Sequence, residues 1–540
     1  MAIGKVSPWV LVALCATALL SGESARAEDE RPNVVLIMVD DLGFSDVGCY
    51  GGEIRTPHID RLAAEGLQFT QFYNCAVCVT TRSALMTGLH PRRRDRKWLH
   101  EDQVTVAEVL RAAGYRTSLT GKWHLGSTAP RRPTDRGFEE YYGVASGCCN
   151  FFNPAKPDPV FYNGGKSRTF LHNEKRVTEF PDDFYTTDAF TDHAIGQIEK
   201  FAQGDAPFFV HLCYTAPHFP LHAREEDIAK YRGAYDRGYF ELRKARFARQ
   251  RKLGLIDKSW SLSAADKRLG EFRYDYDIAP WDSVEDLKRE RRRMEVYAAM
   301  VDRVDQGIGR VMAALKDAGV DDNTLVLFLS DNGGCASYPA YNDAETAAGH
   351  RAYNKQLPGG VDTYDFCGPG WGWAQCTPFR RYKVWTYEGG IATPLIARWP
   401  ATIAPKTRTD QIGHVVDVMA TLVDLGRAAY PRRRNELEIP PLEGLSLSSV
   451  FRGELRPGHD HLCWALYGNR AVRSGDWKLV WGVTAARWEL YNMANDRTET
   501  KDLAREHPEL VKQLRNKWMK WAQATGVPLE PSGTGTTSGK

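Results

Sequence analysis

Long apolar runs are scarce in this chain, and net charge is nearly absent. Beyond the N-terminus no stretch is apolar over the roughly 20 residues a bilayer span requires, so the mature chain is expected to have no membrane span. Against 68 Asp and Glu stand 71 Lys and Arg, a formal charge of +3, which excludes the strongly basic class that binds nucleic acid. The basic runs at 91–97, 291–293 and 431–435 are scattered and read as solvated surface. There are no internal repeats, and no C-x-x-C tetrad of the kind that holds structural zinc. With 43% hydrophobic and 26% charged residues, wholesale disorder is excluded. A chain of 540 residues has room for one large α/β enzyme with an appendage, or for several domains.

The N-terminus reads as a processing segment. Lys5 supplies a positive start, residues 9–20 an apolar run, and Ala25-Arg26-Ala27 a small-x-small cleavage site. Residues 1–27 are therefore expected to be a signal peptide, and the mature protein to be exported, periplasmic or secreted. Cys15 lies inside the leader, and in an oxidising compartment Cys148 with Cys149, Cys367 with Cys376, and Cys49 with Cys75 are possible disulfide partners. Nothing in the spacing fixes the pairing.

The run RPNVVLIMVDDLG is continuously apolar and β-branched up to Asp40-Asp41, as in a strand covered on both faces. TPHIDRLAAEGLQF follows as a helix, with Ile59, Leu62, Ala63 and Leu67 at helical spacing. Further strand and helix patterns alternate over most of the chain, among them TSLTGKWHLG ending at Lys122 and His124, and PFFVHLCYTAPHFP delivering His218. This alternation predicts an α/β fold with a large, mostly parallel central sheet. NTLVLFLSDNGG is a second strand with an acid and amide at its end, Asp331-Asn332. In such sheets ligands gather beyond the carboxyl ends of the strands. Three carboxylates and one amide at two such ends make a hard oxygen set, suited to calcium or magnesium rather than zinc.

Residues 223–293 change character and read as a surface excursion, and the Gly- and aromatic-rich stretch between Ala336 and Pro378, with Trp371 and Trp373, as a rim shaping the substrate pocket. Toward the C-terminus, NRAVRSGDWKLVW and WELYNM read as two strands and HPELVKQLRNKWMKWAQ as a closing helix. The expected division is 28–455 for a catalytic domain, 456–526 for a small α+β subdomain on an antiparallel sheet, and 527–540 for a disordered tail.

Between the two acidic strand ends lies CVTTRSALMTG, from Cys78 to Gly88. Taken alone it is a cysteine at a helix start, capped by Thr80 or Thr81. It also resembles the type I sulfatase signature Cys-x-Pro-Ser-Arg-x-x-Leu-x-Thr-Gly, with Thr81 for Ser and Thr80 for Pro. VDDLG, GKWHLG, APHFP, SDNGG, KVWTYEGG and GDWKLV extend the resemblance over nearly the whole mature chain, to the arylsulfatase group of the alkaline-phosphatase-like superfamily.

That resemblance implies that Cys78 is oxidised to formylglycine by a maturation enzyme. It implies Asp40, Asp41, Asp331 and Asn332, with the modified Cys78, as ligands of one calcium ion, magnesium being the lesser alternative. Arg82, Lys122, His124, His218 and Lys383 correspond to the sulfate-binding and acid/base residues, and Ser146 to a further serine. The implied substrate is a sulfated small molecule or glycan. In the implied mechanism the aldehyde hydrate attacks sulfur with one hydroxyl and expels sulfate through the other, an exit a plain thiol lacks. His218 then serves the leaving alcohol and His124 the hydrate. Two alternatives share the scaffold: a formylglycine-dependent phosphonate or phosphodiester hydrolase, and an unmodified, inactive binder of sulfated glycans.

Overall fold

The structure, a computed structural model, describes Met1 and residues 31–91, 98–338 and 343–529. Apart from Met1 the expected leader lies outside the described residues, as do 92–97 of the first basic run and 530–540 of the expected tail.

The first apolar run forms β1 (Asn33–Val39), in the middle of an eleven-stranded sheet. In chain order the others are β2 (Leu67–Tyr73), β3 (Arg116–Gly121), β4 (Glu140–Val144), β5 (Phe170–His172), β6 (Lys175–Arg176), β7 (Phe208–Cys213), β8 (Thr324–Ser330), β9 (Ala392–Arg398), β10 (Thr407–Thr409) and β11 (Gly413–His414). Across the sheet they run β10-β2-β9-β8-β1-β7-β3-β4-β5-β6, with β11 beside β2. From β8 to β4 all neighbours are parallel, whereas β9 is antiparallel to both of its own.

Alternate residues of β1 enter separate cores. Val35, Ile37 and Val39 join Ile59, Phe190, Ile198, Met300 and Ile308, from helices Pro57–Ala64, Thr186–Ala202 and Leu287–Asp317. Val34, Leu36 and Met38 join Leu85, Leu110, Met419 and Leu422, from helices Cys78–Thr87, Val106–Ala112 and Val416–Leu425. A strand apolar at every position is what a sheet covered on both faces requires. The register then sets the site: Val39 pairs with Ser330, Met38 with Cys213, and Gly121 with Cys213. Thus β1, β3, β7 and β8 end in one row, and Asp40, Lys122 and Asp331 emerge along one edge.

The C-terminal appendage is a four-stranded antiparallel sheet, Leu462–Leu466, Asn469–Ser474, Trp477–Gly482 and Arg487–Asn492. Helix Pro508–Thr525 packs Leu514, Trp518 and Ala522 against it. Among the described residues no helix is long and apolar enough to cross a membrane.

Several local expectations are corrected. The helix after β1 stops at Ala64, and Leu67 opens β2 instead. The break is Gly66, where a Cβ would lie 2.2 Å from the Ala397 carbonyl oxygen of the neighbouring strand. Residues 223–293 are not a surface excursion: helix Gly238–Lys252 buries Tyr239, Arg243, Arg246 and Gln250. Its arginines are tolerated inside because each finds acceptors. Arg246 pairs with Asp46 at 2.6 Å and Glu53 at 2.8 Å, which outweigh burial and hold its pKa above the usual value. Arg243 donates to the carbonyls of Trp373, Pro378 and Phe379, and burial pushes its pKa down to about 9. Arg293 of the second basic run is also buried, on Asp365 and Glu290.

Trp371 and Trp373 are no rim; they lie buried in a helix, Pro369–Gln375, with the Trp371 indole bonded to the Glu290 carbonyl. NRAVRSGDWKLVW is two strands joined at Gly475 rather than one. The suggested disulfides are absent, since all ten described cysteines are free. Their sulfurs face separate partners: Cys148 the Tyr364 hydroxyl, Cys367 the Gln375 amide, Cys376 the Gly334 N–H and Cys75 the His414 ring.

Candidate active site

Cys78 is the first residue of helix Cys78–Thr87, at its positive end. Two threonines shape the turn before it. The Thr80 hydroxyl donates to the carbonyls of Cys75 and Val77, both at 2.8 Å, and the Thr81 hydroxyl accepts from the Cys75 N–H at 2.9 Å. Thr80 thus closes by hydrogen bonds a turn that proline would constrain covalently. The Cys78 sulfur lies 3.4 Å from Nδ1 of His124. Burial raises its thiol pKa, against the pull of Lys122 and Lys383.

One turn along the same helix, Arg82 reaches Asp331 through Nε at 3.0 Å and Nη2 at 2.8 Å, and the Lys122 carbonyl through Nη1 at 2.8 Å. Lys122, just past β3, pairs with Asp40. Lys383, on the turn before β9, pairs with Asp41. His218 places Nε2 3.5 Å from Asp41, while its Nδ1 meets the Phe219 carbonyl at 2.5 Å. The Asn332 amide donates to Asp41 at 2.7 Å. Apart from Ser146, the residues expected from the sequence at this site are therefore brought to one place, all of them buried except His124, which is partly so. Ser146 is tied elsewhere, its hydroxyl accepting from the Thr169 N–H at 3.0 Å.

The oxygen set fits a hard cation. Asp40 Oδ1, Asp41 Oδ2 and Asn332 Oδ1 are buried acceptors without a hydrogen bond, an arrangement costly to leave unfilled. Asp40, Asp331 and Cys78, and again Asp40, Asp41 and His218, bring ligand atoms within 4.8 Å of one another. The electrostatics reflect crowded carboxylates at Asp331 and compensating cations at Asp41. Burial and the nearby Asp40 carboxylate push Asp331 up to about 6, against Arg82 and Lys122. Asp41 is held below the usual carboxylate range despite its burial, by Lys383, His218 and Lys122. Burial beside the same cations lowers both histidines, His218 to about 3 and His124 well below its ordinary value.

Backbone strain gathers here as well. Asp41, His124 and Val384 hold φ at 68°, 63° and 82°, a region that side-chain-bearing residues avoid.

Comparison with known proteins decides the family. The sulfatase family profile matches residues 32–428, and the profile of the N-sulphoglucosamine sulphohydrolase C-terminal region matches residues 379–524. The chain belongs to the sulfatase family. It is 34% identical to an uncharacterized sulfatase of Schizosaccharomyces pombe, over 94% of this chain and 96% of that one. With an arylsulfatase of Klebsiella aerogenes it shares 30% identity, over 82% of this chain and 97% of that one. The crystal structure of Ps i-CgsB in complex with k-i-k-neocarrahexaose superposes with a TM-score of 0.65 at 26% identity, covering 93% and 94% of the two chains. This sulfatase is accordingly a sulfuric ester hydrolase with an alkaline-phosphatase-like fold.

Sequence reasoning missed the residues that brace the sulfatase site. The Tyr297 hydroxyl donates to the Asp41 carbonyl at 3.1 Å and to Asp46 at 2.7 Å. The Ser330 hydroxyl accepts from the Leu42 N–H and donates to the Asn332 carbonyl, joining the two acidic strand ends. Tyr297 sits on the apolar stripe of its helix, so only the position of its phenol end reveals the role.

Proposed function

We propose that this sulfatase hydrolyses sulfate esters of a sugar or aryl alcohol, using a formylglycine made from Cys78 and one calcium ion. The observation that carries this reading is the convergence of Cys78, four oxygen-bearing side chains and three buried cationic side chains on one edge of the sheet. Asp40, Asp41, Asp331, Asn332 and the modified Cys78 would hold the ion. Calcium is favoured over magnesium because the donors are protein oxygens at two rigid strand ends rather than water. Bound there, the ion supplies positive charge that polarises a sulfate oxygen. The hydrated aldehyde at position 78 supplies the oxygen nucleophile and an internal route for sulfate release.

The chain's own residues do the rest. Lys122, Lys383 and Arg82 surround a tetrahedral anion with charge and so favour the transition state over the ester. Lys122 and Lys383 pair with Asp40 and Asp41 and would be available to the anion where those carboxylates hold the ion. His218 commits its Nδ1–H to the Phe219 carbonyl, which leaves Nε2 facing the site. The negative charge of a bound sulfate ester would raise the low proton affinity of this ring, so that Nε2 takes up a proton and passes it to the leaving oxygen. His124, beside the Cys78 side chain, orients or deprotonates the nucleophile. The related structure in complex with k-i-k-neocarrahexaose supports a sulfated glycan as substrate, and the arylsulfatase relative supports activity on aryl sulfates. Residues 28–455 form the catalytic domain, 456–526 its subdomain, and the leader directs export to the periplasm or medium.

Peptide mass spectrometry across Cys78, in protein from its native host, tests the modification. An aldehyde is expected, and an intact thiol would instead support the inactive binder. Parallel assays on aryl sulfate and aryl phosphodiester test the bond cleaved. Dominant phosphodiesterase activity would replace the sulfatase reaction.

A further inference from the structure

Trp464 connects the C-terminal sheet to the turn that precedes Cys78. It sits in strand Leu462–Leu466, 3% exposed, with its ring 5.5 Å from that of Tyr73 at the end of β2. Its indole Nε1–H donates to the Asn74 carbonyl at 2.7 Å, across 390 positions of sequence. Its own carbonyl accepts from the Trp518 indole at 3.0 Å, on the closing helix Pro508–Thr525. The strand is thus held from behind by one indole while a second indole holds the turn in front.

Asn74 passes the constraint on. It is fully buried, and its N–H donates to the Ile391 carbonyl at 2.8 Å. Its side-chain oxygen accepts from the Ala76 N–H at 2.9 Å, an Asx turn closed two residues on. Ala76 holds φ at 63°, and its carbonyl accepts from the N–H of Val384, itself at φ 82°, over 2.8 Å. One hydrogen bond therefore joins two strained residues that are not glycine. Ala76 lies two positions before Cys78, and Val384 directly follows Lys383, whose own N–H donates to the Gly334 carbonyl at 3.1 Å. Backbone of this kind persists only where its surroundings over-determine it. A buried indole N–H needs an acceptor wherever it lies. Here the acceptor belongs to the residue whose side chain closes the strained turn.

We propose that Trp464 is a positioning residue for the sulfatase reaction. Acting through Asn74 and Ala76, it fixes the Cys78 side chain at its 3.4 Å approach to His124 and in step with the Lys383 turn. The C-terminal sheet is thereby part of the catalytic apparatus. The proposal rests on the sulfatase reading, with position 78 as the nucleophile.

The test compares wild type with two single variants and their combination. Trp464→Phe keeps an aromatic ring beside Tyr73 and removes the N–H; Asn74→Ala removes the Asx acceptor and keeps the carbonyl. kcat and KM for 4-nitrophenyl sulfate are measured on folded protein, well below the thermal midpoint, with kcat normalised to the aldehyde content of the peptide containing position 78. A reacting group displaced by about 1 Å costs up to about 100-fold, so kcat is expected to fall between about 10- and 100-fold in each single variant. KM should stay unchanged, because Arg82 and Lys122 keep their places and the lost interaction serves the transition state alone. The double variant should fall no further than the more impaired single one, since both breaks lie on one path.

A tryptophan that only fills the core would lower the thermal midpoint and leave kcat of the folded protein at its wild-type value. That result overturns the proposal, as does a double variant whose losses multiply. Crystal structures of wild type and Trp464→Phe read the same claim without turnover: residues 76–78 are expected to shift by about 1 Å, and an unmoved turn overturns the proposal. Wild-type protein that cleaves no sulfate ester overturns the sulfatase reading instead, and the crystallographic comparison still decides whether Trp464 holds the turn.

Discussion

Replacing Lys478 with methionine should damage a pocket it does not touch. Lys478 lies fully buried in the C-terminal sheet, 2.8 Å from both Glu388 and Glu499. Glu388 belongs to the turn that carries Lys383. It is held in addition by Arg497 at 2.7 Å and the Tyr73 hydroxyl at 2.9 Å, and its N–H donates to Glu499 at 2.8 Å. Without Lys478, Glu388 keeps two of these partners, but Glu499 keeps only a backbone N–H. Burial and the neighbouring Glu388 already drive the Glu499 carboxyl up, and Lys478 is the opposing charge. Removing one member of such a buried pair costs about 3–5 kcal/mol. The Lys383 turn then loses its anchor, and a displacement of about 1 Å there lowers kcat/KM by up to about 100-fold.

Denaturant unfolding and aryl sulfate kinetics of wild type, Lys478→Met and Lys478→Met/Glu499→Gln provide the assay. In the double variant the amide introduced at position 499 can donate to Glu388 while its oxygen still accepts the Glu388 N–H, so most of the loss should be recovered. A single variant within about 1 kcal/mol of wild type, or a double variant less stable than the single, would refute the account.

Other outcomes follow from the same geometry. Cys78→Ala should abolish turnover while leaving unfolding within about 1 kcal/mol of wild type, and residual sulfatase activity would remove Cys78 from the mechanism. Chelation should abolish activity, and calcium at 100 times its dissociation constant should raise stability by about 2.7 kcal/mol, an effect calorimetry should no longer find in Asp41→Asn. Asp305 gives a pH signature away from the site. Its carboxylate accepts the N–H groups of His58 and Ile59, at the start of helix Pro57–Ala64, and burial pushes it up to about 7 from 3.8. The folded chain therefore keeps a proton that the unfolded chain has released, and stability falls as pH rises from 3.8 to about 7. Asp305→Asn should flatten that slope, removing up to about 4 kcal/mol of pH dependence in unfolding titrations.

What could be read from sequence depended on how local its cause was. The all-apolar β1 announced a doubly covered strand, and the acids at the ends of β1 and β8 announced a cluster of hard oxygen donors, because burial and side-chain chemistry are written residue by residue. The motifs around Cys78, Lys122, His218 and Lys383 named the remaining side chains. Where the reading failed, distant partners decided. Arg243 and Arg246 looked solvent-facing until carbonyls and acids from other segments enclosed them, and the tryptophans of the supposed rim were drawn into the core.

The sequence alone determined the α/β class, the chemical types of the site residues and the family resemblance, since each depends on short-range pattern. Only tertiary structure decided which edge the strand ends share and which oxygens stay unbonded. Those are distances between residues hundreds of positions apart, and they are set by sheet register and packing, which no local pattern encodes.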